Sequence, residues 1–183
     1  MLARRGLTGV LLVGGASRRF GSPKALARFQ GETLAERAWR CLRDVCDERI
    51  AVGKAGEAQS LPFPLVDDRS PLRAPLVGVV AGLRAASNDV CVFLPVDCPL
   101  VSARSLRLLA TAGGDAAVPQ TGPLPGMYRR DVLPVLDRRL AASDLSLREA
   151  LKALDVRIVP LDPRELVNVN TPANLRALSH DAL

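Results

Sequence analysis

Two short stretches of the sequence combine residue types that could handle phosphate and a divalent cation. The first is Gly14-Gly15-Ala16-Ser17-Arg18-Arg19-Phe20-Gly21-Ser22-Pro23-Lys24. Glycines let a backbone approach a phosphate closely, and successive N–H groups can cradle its oxygens. Arg19 and Lys24 add positive charge where a triphosphate carries most negative charge. The loop is neither a P-loop nor a dinucleotide fingerprint: no Gly-Lys-Ser/Thr closes it, and no G-x-G-x-x-G is present. By itself it reads equally well as a strand-to-helix connection in an arginine-rich chain. The second stretch is Asp97, which follows an apolar run and sits between Pro95 and Pro99. A carboxylate held at a strand end suits Mg²⁺, which takes hard oxygen ligands together with substrate phosphate. An isolated aspartate there also fits a turn or cap.

The elements that must position these residues alternate in type. Thr8–Val13 is an apolar run ending in Gly14-Gly15, the pattern of a buried parallel strand entering a loop. Thr33 and Glu36 form a capping box that opens a helix to about Asp44. Strands follow at Glu48–Val52 and Pro64–Val66, then a helix over Leu76–Ala86 entered through Pro75. Asp89–Leu94 is the clearest strand and delivers Asp97. Ser102 caps a helix to Ala112, Asp115–Pro119 is a strand, Met127-Tyr128 is extended, and Asp131–Ala142 is helical. Ser146 and Glu149 form a second capping box for a helix to about Leu154, and Val156–Leu161 is a strand. Thr171-Pro172 starts the last helix. Alternating β and α units with short connections predict a three-layer α/β/α architecture around a mostly parallel, Rossmann-like sheet. Ligands of such sheets bind beyond the carboxyl ends of the strands, where both the glycine-rich loop and Asp97 fall.

Composition narrows the function classes. The 183 residues suit one domain, taken as 1–183, and the 48% hydrophobic content is too high for a disordered chain. No apolar run nears the roughly 20 residues a bilayer requires, and no cleavable leader pattern follows the basic start, so a cytoplasmic protein without membrane partners is expected. The net charge is +6, carried by scattered arginines; the only lysines are Lys24, Lys54 and Lys152. With aromatics at 3%, stacking on nucleic acid is not expected. Cys41, Cys46, Cys91 and Cys98 form no C-x-x-C pair and His180 is the sole histidine, which argues against zinc. Cys91 reads as core, while Cys41 and Cys46 lie on the first helix at a spacing that shares no face.

The loop resembles the L-A-G-G-x-S-x-R-M-G-x-D-K signature of the nucleotidyltransferases related to molybdenum cofactor guanylyltransferase. The likeness continues at Val66-Asp67-Asp68, at Pro75-Leu76-Val77-Gly78 (the family's G-P-L-A-G), at Leu94–Pro99 (its L-P-C-D-x-P) and at Val167-Asn168-Val169-Asn170-Thr171-Pro172 (its N-I-N-T-P). Five motifs in the family's order cover nearly the whole chain. The resemblance implies a nucleotidyltransferase-type fold and transfer of GMP from GTP to the terminal phosphate of molybdopterin, with Mg²⁺ as cofactor. It implies that Leu12, Val13 and Gly14 offer backbone contacts to the nucleotide, Gly15 keeps the loop open, Arg19 and Lys24 hold triphosphate oxygens, Asp68 touches the nucleoside and Asp97 holds the metal. Lys24, Arg19 and Asp97 are then the catalytic set, and Asn168 and Asn170 face the acceptor. Apo-molybdoenzymes or their chaperones are candidate recipients of the product. A sibling transferase using CTP or a sugar phosphate, and a non-catalytic nucleotide-binding module, are the competing readings. Departures from the family pattern fall at Val13, expected to add bulk beside the nucleotide, and at Phe20, Pro23, Arg73-Ala74 and Pro125.

Overall fold

Alternate residues of β1 (Leu7–Leu12) are committed to opposite sides of a sheet. Leu11 packs into one buried cluster, whereas Val10 and Leu12 pack into another. That two-sided burial is what a near-continuous apolar strand requires, because side chains alternate faces along its length. The computed structural model describes residues 6–14, 20, 23–56 and 61–180. Seven strands form the main sheet, in the order β5 (Leu65–Asp67), β4 (Glu48–Gly53), β1, β6 (Val90–Pro95), β8 (Gly126–Arg129), β7 (Ala116–Pro119), β9 (Val156–Val159). All run parallel except β8, which is antiparallel to both β6 and β7.

Helices α1 (Leu34–Arg43), α3 (Ala103–Thr111) and α6 (Pro172–His180) send Leu34, Leu42, Leu106, Leu109 and Leu175 into the cluster that holds Leu11. Helices α2 (Pro75–Ala85), α4 (Leu133–Ala141) and α5 (Leu147–Ala150) send Leu76, Leu83, Leu136 and Leu147 into the other, which holds Val10 and Leu12. The three layers expected from the alternating elements are therefore present. Helix α2 lies so close to the sheet that a Cβ on Gly82 would stand 2.7 Å from Phe93 and 2.8 Å from Val10. Phe93 meets Tyr128 edge to face at 5.6 Å, and the Tyr128 hydroxyl donates to the Pro123 carbonyl at 2.8 Å.

The capping box at Thr33 forms in full: the Thr33 N–H reaches the Glu36 carboxylate at 2.8 Å, and Thr33 Oγ1 accepts from Glu36 N–H at 3.1 Å. The box expected at Ser146 forms only by half. Ser146 Oγ accepts from Glu149 N–H, but the Glu149 carboxylate turns to Lys152 at 2.7 Å. Helix α5 accordingly lasts one turn before tightening into a 3₁₀ turn at Leu151–Ala153. Helix α1 stops at Arg43, so Cys46 lies beyond it rather than on it. The small hairpin of β2 (Arg28–Phe29) and β3 (Glu32–Thr33) has no counterpart in the sequence expectation. Its two-residue turn, Gln30-Gly31, has φ of 52° and 89°, the mirror-image geometry that hairpins favour but that Asn-Gly advertises far better than Gln-Gly.

Candidate active site

The register of the central strands brings their carboxyl ends level. Leu12 lies beside Val52 of β4 and Pro95 of β6. Beyond those ends the backbone stays stitched: Val13 N–H donates to the Val52 carbonyl at 2.9 Å, Val96 N–H to the Leu12 carbonyl at 3.0 Å, and Asp68 N–H to the Gly53 carbonyl at 3.0 Å. A cavity of about 310 Å³ opens on this edge. Leu12, Gly14, Val52 and Gly53 form its floor, Asp68, Leu72, Arg73 and Ala74 one wall, and Pro75 and Gly78 of α2 another, while Lys54, Asp97 and Leu124 complete it. A Cβ on Gly78 would stand 2.9 Å from the far end of the Leu12 side chain, so the glycine leaves that side chain its present place on the floor. The amino end of α2 opens on the same space, where its partial positive charge favours an anion.

Asp97 is the junction of the site. Its Oδ2 lies 3.3 Å from Lys24 Nζ, and both side chains are mostly sheltered from solvent. The same ammonium donates to Asn170 Oδ1 at 3.3 Å, and the Asp97 carbonyl accepts from Val169 N–H at 2.8 Å. One residue at the end of β6 is thus tied by its side chain to the glycine-rich loop and by its backbone to the Asn168–Asn170 segment. Lys24 begins a 3₁₀ turn, Lys24–Leu26, that Pro23 opens: the Pro23 carbonyl accepts from Leu26 N–H at 3.0 Å. A proline before the lysine therefore suits the turn that aims it.

The Asn168–Asn170 run has no regular structure and is held from outside. Glu165 accepts from Ser102 N–H at 2.9 Å and from its hydroxyl at 3.1 Å, clamping the run to the start of α3. Gln120 exchanges two bonds with the Leu161 backbone. Buried Leu161 and Val169 anchor it in the core. The two asparagines do different things. Asn170 reaches Lys24, whereas Asn168 Oδ1 accepts from the buried Cys98 thiol at 2.9 Å.

Among the residues singled out from sequence, Leu12, Gly14, Asp68 and Asp97 line the cavity and Lys24 reaches it through Asp97. Gly15 and Arg19 lie outside the described residues. Val13 departs from the expectation that it adds bulk beside the nucleotide: it is buried in the core cluster that holds Phe20 and Ala25, and its N–H is taken by Val52. In the sequence Lys54 stands out only as one of three lysines. Its signal was its position, the first residue past the carboxyl end of a strand; its ammonium lies 2.7 Å from Asp68 Oδ1.

A sheet of this order, with a pocket past its carboxyl ends and a lysine answering an aspartate beside it, is the arrangement expected of a nucleotidyltransferase. The family model for the MobA-like NTP transferase domain matches residues 9–158, and the chain belongs to that family. A probable molybdenum cofactor guanylyltransferase of Bacillus subtilis (strain 168) is 32% identical over 181 residues, 88% of this chain and 89% of the relative. The molybdenum cofactor guanylyltransferase of Pseudomonas putida is 34% identical over 180 residues, 91% of this chain and 94% of the relative. In fold, molybdopterin-guanine dinucleotide biosynthesis protein A from Archaeoglobus fulgidus superposes with a TM-score of 0.81, covering 96% of this chain and 98% of that one at 22% identity.

Proposed function

We propose that this chain transfers GMP from GTP to the terminal phosphate of molybdopterin, releasing pyrophosphate, with Mg²⁺ as cofactor. The observation that carries the reading is the double attachment of Asp97, through Lys24 to the triphosphate loop and through Val169 to the Asn-x-Asn run. A donor and an acceptor bound on either side of that carboxylate would meet there. The names of the Bacillus and Pseudomonas relatives support guanylyl transfer over other nucleotidyl transfers.

The acceptor phosphate oxygen attacks the α-phosphorus of GTP; the new oxygen–phosphorus bond forms as the bond to the bridging α–β oxygen breaks, and pyrophosphate leaves with that electron pair. The nucleophile is already an anion, so positioning and charge neutralisation carry the catalysis and no general base is needed. Lys24 draws triphosphate oxygens toward Asp97, and the α2 amino end adds partial positive charge. Asn170, bonded to Lys24, presents its amide toward the acceptor side. Mg²⁺ fits the residues present: Asp97 brings a carboxylate to the cavity, and Mg²⁺ is commonly held by one or two carboxylates plus substrate phosphates. Asp97 would hold it, and it would supply neutralisation of the phosphate charge.

Pyrophosphate release from GTP with Mg²⁺ and molybdenum-loaded molybdopterin tests the reading. Turnover is expected with the wild-type chain and is abolished in Asp97→Ala; activity that survives Asp97→Ala overturns the metal assignment. Stronger thermal stabilisation by CTP than by GTP would overturn the guanylyl assignment.

A further inference from the structure

Lys54 follows β4 directly, its side chain is 17% exposed, and the bonds described for it do not go to the Lys24–Asp97 pair. Its ammonium donates instead to Asp68 Oδ1 at 2.7 Å, to the Ser70 carbonyl and to the Leu72 carbonyl at 2.7 Å. Among the described residues, three acceptors from one short loop converge on this ammonium, which has three protons to give. The loop is wound tightly around it: Arg69 has φ of 52°, Ser70 N–H donates to Asp68 Oδ1 at 3.0 Å, and Leu72 N–H to Ser70 Oγ at 3.1 Å. That loop continues into Arg73 and Ala74 and forms one wall of the cavity.

We infer that Lys54 is a positioning residue for nucleoside recognition, its ammonium gathering Asp68, Ser70 and Leu72 into the wall that base and ribose contact. The inference rests on the nucleotidyltransferase reading of the cavity. Both bonds to Asp68 fall on Oδ1; among the described residues Oδ2 takes none, so it can accept from a hydroxyl or N–H of the nucleoside. Lys54 acts through the wall, not on the phosphates, which gather at the Lys24 end. Arginine is no substitute, because a planar fork cannot meet three converging acceptors.

Binding of GTP, CTP and inorganic tripolyphosphate is compared for wild type, Lys54→Met, Lys54→Arg, Asp68→Asn and the double variant Lys54→Met/Asp68→Asn. Lys54→Met is expected to weaken GTP about tenfold or more, tripolyphosphate less than about twofold, and to raise KM while leaving kcat at saturating GTP within about threefold. Lys54→Arg does not rescue. The double variant loses little beyond the larger single loss, since both changes act on one wall. Equal weakening of GTP and tripolyphosphate, unchanged GTP binding, or fully additive losses overturn the inference. If Lys54→Met does not fold, Lys54→Gln is read by the same ratio. A wild type that prefers CTP overturns the guanylyl reading alone, because the ratio of nucleotide to tripolyphosphate affinity is then taken with CTP.

Discussion

At the residue scale the site depends on a few side chains whose partners fix their chemistry. Lys24 is shared between Asp97 and Asn170, both at 3.3 Å. Lys24→Ala should lower kcat/KM for GTP on the order of 10²-fold or more, measured by steady-state pyrophosphate release, as expected when a charge stabiliser leaves a sheltered phosphate site. Lys24→Arg should restore little of it, since the fork would press on Asp97. Cys98 is a quieter member of the cluster. Burial, with the neighbouring Asp97 charge adding to it, raises its thiol well above the ordinary range, so it donates to Asn168 and is not a nucleophile. Burial also pushes Cys41 up to about 11 and Cys46 and Cys91 up to about 12. A chromogenic disulfide reagent at pH 8 should therefore react slowly with the native protein and count all four thiols once denaturant is added.

At the element scale, helix α2 does two jobs with two glycines. A methyl group on Gly82 would press on Phe93 and Val10 in the closed core. Gly82→Ala should cost about 1–3 kcal/mol by urea unfolding, the usual range for overpacking. Gly78→Ala meets only the end of the Leu12 side chain, which can swing aside into the cavity. It should cost less stability and raise KM for GTP more. Strand β4 supplies a pH-dependent tie at its opposite end. Burial pushes the Glu48 carboxyl up, but bonds from Thr8 and Ser87 outweigh it and hold its pKa below 4.5. The tie is complete above that value and is lost as the pH falls through the lowered one. Glu48→Gln should therefore be less stable than wild type at pH 7, and the gap should close in thermal melts as the pH falls below the ordinary carboxylate range.

The elements themselves were largely legible in the sequence, for identifiable reasons. Thr33 and Glu36, Ser102, and Thr171-Pro172 carry their caps in their residue types, and the apolar run before Asp97 could only be a doubly covered strand. Less legible were features decided by distant partners. Nearer at hand, Glu149 pairs with Lys152 while the Ser146 N–H turns to Asp144, which leaves that box half made. Val13 reads as a cavity residue until the face it occupies is known. Asn168 and Asn170 look equivalent in the motif and differ only through Cys98 and Lys24. Lys54 shows nothing but its position past a strand end, since the three acceptors described for it lie 14 to 18 residues away.

For the whole molecule, the sheet order sets the division of labour. Strands β5, β4, β1 and β6 supply the cavity, and the antiparallel β8 interrupts the parallel run just past β6. The Asn168–Asn170 run then crosses back to Asp97, held by Glu165 at α3 and by Gln120 next to β7. Glu165→Ala should loosen that run, raising KM for molybdopterin while the GTP dissociation constant, measured by calorimetry, stays near wild type. The bond from Val169 to Asp97 joins positions 72 residues apart and has a temporal meaning too. On the ribosome, the residues that line the cavity are all made by residue 124, but the Asn-x-Asn run is not. A growing chain therefore holds every residue that lines the cavity before the segment beside Asp97 is made, so the last stretch of synthesis completes both the core and the site.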